Sequence, residues 1–97
     1  MATVVYSARA LSHIERAFEL LANANPDAAI AAAGAIRSAV ENLATHPLIG
    51  RRVHGDIREL VISYGQTGYI ALYRFVVAQD EVRLLAIRHQ REIGFVP

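Results

Sequence analysis

The chain is 97 residues long, which provides for one small domain with a single core. Hydrophobic residues make up 54% of it and charged residues 20%, which excludes a disordered chain, and the absence of cysteine excludes a disulfide framework and a thiolate nucleophile. The net charge is only +1, although all 10 basic residues are arginine. The N-terminus lacks the features of a signal peptide and no segment reaches the length of a membrane span, so we expect a cytoplasmic domain. The apolar excess predicts that a partner covers part of its surface.

The first half of the sequence predicts a strand followed by a helical hairpin. Thr3–Tyr6 is a short β-branched and aromatic run, and Ser7 is a good N-cap for a helix over Ala8–Ala22. Asn25-Pro26 caps and opens a second helix, which ends before Pro47. The apolar stripes predicted to be buried are Leu11, Ile14, Phe18 and Leu21 on the first helix, and Ile30, Ala33, Ile36, Val40 and Leu43 on the second.

The second half of the sequence changes to strand-like patterns. The runs Ile57–Tyr64, Tyr69–Val77 and Val82–His89 are rich in β-branched and aromatic residues, and turn residues at Gly65–Gly68 and Ala78–Asp80 separate them. Short connections predict an antiparallel meander of three strands. Each helix has one apolar stripe, and one face of the sheet must be buried. We therefore predict a two-layer α+β domain over residues 1–97, with the hairpin packed on the sheet.

The arginines are the most promising candidates for a binding function. Seven of them follow Pro47, against five acidic residues, so positive charge leans toward the C-terminal half. Their guanidinium groups bind phosphates or carboxylates in a bidentate manner. The arginines of interest are Arg51, Arg52, Arg58, Arg74, Arg88 and Arg91. Surface solvation and pairing with Glu59 and Glu92 would account for the same residues. The four histidines lack the spacing of metal ligands, so we expect neither a metal nor a cofactor.

Four segments give the sequence a resemblance to a known family. They are His46-Pro47-Leu48-Ile49-Gly50-Arg51, Ile57-Arg58-Glu59-Leu60-Val61, Gly68-Tyr69-Ile70-Ala71-Leu72-Tyr73-Arg74 and Leu85-Ala86-Ile87-Arg88-His89-Gln90-Arg91-Glu92. In chain order they resemble the link after the second helix, the arginine-bearing strand, the strand after it and the C-terminal strand of the RelE/ParE toxins of type II toxin–antitoxin systems. The resemblance covers nearly the whole chain.

This resemblance implies a cytoplasmic toxin of a plasmid-stabilisation system. Such toxins are silenced by a cognate antitoxin, which lays an extended or helical C-terminal segment over the toxin, and the two are expected to form an oligomer. One branch of the family cleaves messenger RNA on the ribosome. The other branch poisons DNA gyrase by binding to it.

Two positions and the net charge favour the gyrase branch. In the ribonuclease branch, an arginine that stabilises charge on the scissile phosphate follows the start of the penultimate strand, and Ile70 stands at that position here. The chain offers His89 for acid–base work, but it has no tyrosine near its C-terminus. A net charge of +1 is also low for a protein that binds ribosomal RNA. We therefore expect a binding poison without an active site of its own.

The candidate residues differ between the two branches. For a gyrase poison, the expected target-binding residues are Arg74, Arg88, His89 and Arg91. For a ribosome-dependent ribonuclease, the expected catalytic residues are Arg58, Arg88 and His89. An inactive homologue that serves only as an antitoxin-binding scaffold is a third alternative.

Overall fold

The computed structural model describes residues 1–64, 67–92, 94, 95 and 97. Its helices and strands are β1 (Thr3–Tyr6), α1 (Ala8–Ala24), α2 (Pro26–Glu41), β2 (Arg51–His54), β3 (Ile57–Tyr64), β4 (Thr67–Val76) and β5 (Glu81–His89). Short 3-10 turns, Asn42–Ala44 and Val77–Gln79, follow α2 and β4. Within the described residues, neither helix combines the length and the apolar character that a membrane crossing requires.

Both predicted helix caps are confirmed. The hydroxyl oxygen of Ser7 accepts a hydrogen bond of 3.0 Å from the backbone amide of Ala10, and Oδ1 of Asn25 accepts one of 3.2 Å from the amide of Ala28. The first helix extends beyond its predicted end, to Ala24. Asn25 therefore ends α1 and caps α2, which makes the hairpin connection as short as it can be.

The sheet contains the predicted antiparallel meander, formed by β3, β4 and β5. The strand order is β1-β5-β4-β3-β2, and β1 pairs with β5 in parallel, with Thr3 opposite Glu81. The sheet is therefore mixed. Both helices pack on one face of it, which confirms the two-layer α+β prediction. Of the predicted turn at Gly65–Gly68, Gly65 and Gln66 lie outside the described residues.

The edge strand β2 was not predicted from the sequence. All four of its residues, Arg51–His54, are exposed, so they show no alternation between an apolar and a polar face. The strand pairs with β3 in antiparallel orientation, with Arg51 opposite Glu59. Its conformation is therefore set by the edge of β3 and not by burial of its own side chains.

The apolar stripes predicted for the helices were partly wrong. Leu11, Phe18 and Ile30 are 52%, 40% and 63% exposed. The side chains that the helices bury are mostly small, namely Ala10, His13, Ala29, Ala32, Ile36 and Val40. Alanine lets a helix lie close to its neighbour, so the buried faces are displaced from the stripes of large residues. Leu43 is buried as predicted, but in the 3-10 turn that follows the end of α2 at Glu41.

Alternation along β4 distinguishes two faces of the sheet. Tyr69 and Tyr73 are buried on the face that the helices cover, which we call the helix side. Ile70 and Arg74 project from the opposite face, which the helices leave uncovered and which we call the open face. The position of any candidate residue relative to these two faces decides which other groups it can meet.

Candidate functional site

A bulge in β5 sets the directions of the candidate residues near the C-terminus. Leu85 is an extra residue on β5, at the point where its pairing with β4 shifts register. Beyond the bulge, Arg88 lies opposite Ile70 on the open face, whereas His89 lies opposite Tyr69 on the helix side. These two neighbours in sequence therefore point to opposite faces of the sheet.

His89 is held in place by its ring and by its backbone. Its imidazole stacks edge-on against the ring of Tyr69, with the centroids 5.5 Å apart and the planes at 85°. Nδ1 of His89 accepts a hydrogen bond of 3.1 Å from the backbone amide of Arg91. The backbone amide of His89 donates to Oε1 of Glu92 at 3.0 Å. The turn after β5 is thus fastened to the end of the strand.

Glu92 connects this turn to α1. Its Oε2 lies 3.3 Å from Nη1 of Arg16. The backbone N–H of His89 and the Arg16 guanidinium together lower the pKa of Glu92 below its ordinary value, although partial burial acts in the opposite direction. Glu92 is therefore the ionised acceptor of the turn at neutral pH.

The guanidinium of Arg88 donates hydrogen bonds to the same turn. Its Nη1 donates to the carbonyl oxygens of His89, Gln90 and Glu92 at 3.2, 3.3 and 2.8 Å. Its guanidinium carbon lies 5.2 Å from the centroid of the Phe95 ring, a cation–π distance. Its Nε is buried and has no hydrogen-bond partner among the described residues. Arg88 thus orders the chain that follows β5.

A groove of about 310 Å³ lies between α1 and the end of β5. Its lining residues are Arg16, Ala17, Leu20, Leu21, Tyr69, His89, Arg91 and Glu92. Leu20 is 63% exposed at its edge. Arg91 is exposed as well, and its guanidinium has no hydrogen bond or ion pair to any described residue. The groove therefore combines an apolar wall with an available cation, which suits an apolar side chain beside a carboxylate. We call Arg16, Tyr69, Arg88, His89, Arg91 and Glu92 the C-terminal cluster.

Arg58 lies outside this cluster and binds a loop of the protein itself. It is opposite Tyr73 in the β3–β4 pairing, and so on the helix side. Its Nη1 donates to the carbonyl oxygens of Leu48 at 3.1 Å and of Gly50 at 2.7 Å. These contacts give Arg58 a structural role in the loop that precedes β2.

Arg74 is also separate from the C-terminal cluster. It lies opposite Arg83 on β5, and its Nε forms an ion pair of 3.0 Å with Oδ1 of Asp56. Of the predicted target-binding residues, the structure brings Arg88, His89 and Arg91 together and leaves Arg74 further along the sheet.

Sequence reasoning did not select Arg16, Tyr69 or His13 for this site. The imidazole of His13 is buried, at 5% exposure, and its Nδ1 accepts a hydrogen bond of 3.0 Å from the backbone amide of Ile87. No spacing in the sequence indicates that a histidine on α1 meets the strand just after its bulge. Among the described residues, no three His, Asp or Glu side chains are grouped closely enough to hold a metal ion.

The comparisons with known proteins agree on the family. The model of the ParE toxin of the type II toxin–antitoxin system ParDE matches residues 4–94. Toxin RelE3 of Caulobacter vibrioides is 38% identical over 92 residues, which are 95% of this chain and 98% of that protein. A structure of the chromosomal ParDE system of P. aeruginosa matches with a TM-score of 0.75 and 19% identity, over 92% of this chain and 96% of that one. The E. coli RelBE toxin–antitoxin complex matches with a TM-score of 0.64 and 12% identity, over 95% and 100%.

The resemblance carried by the four sequence segments is thereby confirmed. The matched range runs from within β1 to beyond the C-terminal cluster. The structural likenesses to ParDE and RelBE confirm the fold, and the 38% identity covers almost the whole chain. The chain belongs to the ParE/RelE family of toxins of type II toxin–antitoxin systems.

Proposed function

We propose that this toxin acts by binding DNA gyrase, that it does not cleave RNA, and that a cognate antitoxin neutralises it. The observation that carries the proposal is that the three residues predicted for a ribonuclease do not all converge, because Arg58 lies apart from Arg88 and His89. Cleavage of an RNA phosphate requires a charge-stabilising group and an acid–base group within reach of the same atom. Of the three candidates, Arg58 is bound to the loop before β2, and the guanidinium of Arg88, although near His89, is engaged by the carbonyls of the turn after β5.

Arg58 and Arg88 project from opposite faces of the sheet. Their partners on β4 are Tyr73 and Ile70, three residues apart, which corresponds to roughly 10 Å along the strand. The hydrogen bonds found for both guanidinium groups go to backbone carbonyls. His89 lies next to Arg88 at the end of β5, where both residues line one small cleft, and Arg58 lies apart from them. One phosphate would therefore not be held by all three.

The open face supports the same proposal. Ile70 lies there between Val61 and Arg88, where a charged side chain would be needed to bind a phosphate. Ion pairs occupy three arginines near this face: Arg51 with Glu59 at 3.0 Å, Arg74 with Asp56 at 3.0 Å, and Arg83 with Glu81 at 2.6 Å. Binding RNA through such residues would first break these pairs, so the face offers little net charge for counterion release.

We place the gyrase contact at the C-terminal cluster. Its groove combines the exposed Leu20 with the available guanidinium of Arg91, a composition typical of protein interfaces. Arg88 and His89 support this surface, because they hold the turn that carries Arg91. Arg74 would contribute at its edge only if gyrase also covered part of the open face.

Purified protein tests the proposal in two parallel assays. We expect inhibition of gyrase supercoiling, with messages in a translating extract left intact, and Arg91→Ala should weaken inhibition roughly tenfold through loss of one charged contact. Arg37→Ala, which removes an exposed arginine from α2, is the matched control and should leave the results of these two assays unchanged. Cuts in ribosome-bound message that His89→Ala abolishes, with normal supercoiling, would establish the ribonuclease alternative instead. Activity in neither assay would support the inactive scaffold.

The antitoxin is expected to cover the outer face of the helical hairpin. A groove of about 400 Å³ lies between the two helices beside the end of β1, and it is lined by Tyr6, Leu11, Ile14, Ala33, Ile36, Arg37 and Glu41. Leu11, Phe18 and Ile30 leave large apolar surface in water along this hairpin. Such a concave apolar surface fits the apolar side of a flexible segment that folds on binding. The toxin–antitoxin complexes among the similar structures support an antitoxin partner.

A charge placed in this groove tests whether the groove binds the antitoxin. Leu11→Asp is expected to weaken antitoxin affinity roughly 100-fold, because a carboxylate would replace an apolar side chain in the contact and would have to lose its water there. Val77→Asp is the control, since Val77 is 75% exposed in the 3-10 turn after β4. Isothermal titration with the protein encoded by the neighbouring gene provides the measurement. Equal affinities for the two variants would exclude this face as the antitoxin site.

A further inference from the structure

The loop between α2 and β2 presents two large apolar side chains to water. Leu48 and Ile49 are each 59% exposed. They sit on a turn that the Ile49 amide closes by donating to the His46 carbonyl oxygen at 3.2 Å, with Pro47 in the second position, where proline is favoured. The turn projects both side chains outward as a convex pair.

This turn is fastened from beneath by buried groups. The hydroxyl of the fully buried Tyr73 donates to the Pro47 carbonyl oxygen at 2.8 Å and accepts from the Gly50 amide at 2.8 Å. Nη1 of Arg58 binds the carbonyl oxygens of Leu48 and Gly50. A loop with this many backbone hydrogen bonds has few alternative conformations. The exposed pair is therefore held ready in one geometry, which is the condition for binding without a large ordering cost.

One guanidinium that forms no ion pair with the described residues, that of Arg52, lies beside the pair. Arg51 and Arg52 follow the pair after Gly50, and His46 and His54 lie before and after it in the sequence, all of them exposed. The arginine Arg51 pairs with Glu59, and Arg52 donates to the Gly55 carbonyl oxygen at 3.1 and 2.9 Å. No acidic residue occurs between residues 46 and 55. The surface is thus complementary to an apolar depression with acidic residues around it.

We infer that Leu48 and Ile49, together with Arg52, form a second contact surface for the toxin's target protein. This inference rests on the proposed function, in which that target is DNA gyrase. Aliphatic side chains offer nothing to a phosphate backbone, which argues for a protein partner and against a nucleic acid. A convex, rigid pair fits a depression in a folded protein, whereas a flexible antitoxin segment has no such depression and fits the concave hairpin groove.

The test compares two double variants with wild type for binding to purified DNA gyrase and to the antitoxin. Leu48→Ser/Ile49→Ser removes the convex pair, and Val61→Ser/Val77→Ser makes the same type of change at two other exposed positions. The loop variant should retain its fold, because Tyr73 and Arg58 contact backbone atoms of the loop, and thermal unfolding checks this. We expect the loop variant to lose about 10- to 100-fold in gyrase affinity with unchanged antitoxin affinity, and the control to lose neither.

Equal gyrase affinity of wild type and loop variant would overturn the inference, and so would a loss confined to antitoxin binding. Replacing Arg52 by glutamate should slow association with gyrase, by a factor that shrinks as salt is raised. If wild type itself does not bind gyrase, the proposed function fails, and growth arrest then decides the inference separately. Arrest abolished by Leu48→Ser/Ile49→Ser supports this surface with another target protein, whereas unchanged arrest rejects it.

Discussion

Replacing Gly50 by alanine is expected to destabilise the protein by about 1–3 kcal/mol, and more if the loop cannot adjust. A Cβ at this position would lie 2.6 Å from Cε1 and 2.7 Å from the hydroxyl oxygen of Tyr73, and 2.9 Å from the carbonyl oxygen of Glu59. Tyr73 is fully buried and its hydroxyl holds the loop on both sides, so its ring has no room to move away. The Glu59 carbonyl belongs to the sheet backbone and is equally constrained.

Gly34→Ala is the matched control for this variant. A Cβ on Gly34 would have nothing within 4 Å, and the residue lies inside α2, where alanine is favoured over glycine by roughly 1 kcal/mol. Urea unfolding of the two variants should therefore shift in opposite directions from wild type. If Gly50→Ala unfolds at the wild-type midpoint, the loop is not fastened as the Tyr73 contacts indicate.

Replacing His13 by leucine is expected to cost about 1–3 kcal/mol, because it leaves the buried amide of Ile87 without its acceptor. The amide donates to Nδ1 of His13, so the ring proton resides on Nε2 in this arrangement. His13→Asn places an oxygen acceptor near the position of Nδ1 and should recover much of the loss. Leucine fills space without accepting a hydrogen bond, whereas asparagine can accept one. The difference in stability between the two variants therefore measures the contribution of the hydrogen bond from the Ile87 amide.

Amide hydrogen exchange provides the local readout for His13. Protection of the Ile87 amide should fall in His13→Leu and be largely retained in His13→Asn. His54→Leu, a change at an exposed histidine on β2, should leave stability within about 0.5 kcal/mol of wild type. A His13→Leu variant as stable as wild type would show that the Ile87 amide, just after the β5 bulge, does not need the imidazole as its hydrogen-bond acceptor.

The main elements of the fold were accessible from the sequence because each carries a local signal. Caps at Ser7 and Asn25 mark the hairpin, and strand-like runs after Pro47 mark the meander. The edge strand β2 has no such signal, since its residues are all exposed and its conformation depends on β3. The parallel pairing of β1 with β5 joins opposite ends of the chain and likewise leaves no local pattern.

The candidate site was predictable only where its residues are neighbours in sequence. Arg88, His89 and Arg91 do meet in one region, but the bulge at Leu85 decides which of them face the helices. Arg58 and Arg88 project from opposite faces of the sheet, and the residue pattern within each strand does not reveal this. Two contributors from α1, His13 and Arg16, join the region through tertiary packing, so no spacing in the sequence places them there.

The hairpin stripes show a limit of reading burial from residue size. Large residues at helical spacing predict a core face, yet Leu11 and Ile30 are more than half exposed, and the buried positions of the helices include the alanines Ala10, Ala29 and Ala32. In a toxin with an antitoxin partner, the stripe has a second use, since a face covered only in the complex obeys the same periodicity as a core face. If the antitoxin covers the hairpin as proposed, the predicted apolar surface for a partner and the error in the predicted stripe have one cause.

Gyrase inhibition in living cells is the most direct test of the central proposal. The measurement is the topology of a reporter plasmid after the toxin is induced, with the 5′ ends of ribosome-bound messages sequenced from the same culture. We expect progressive relaxation of the plasmid and an unchanged pattern of message ends, and expression of the antitoxin should restore the supercoiling of uninduced cells. A plasmid that stays fully supercoiled in growth-arrested cells, together with new codon-specific message ends, would contradict it.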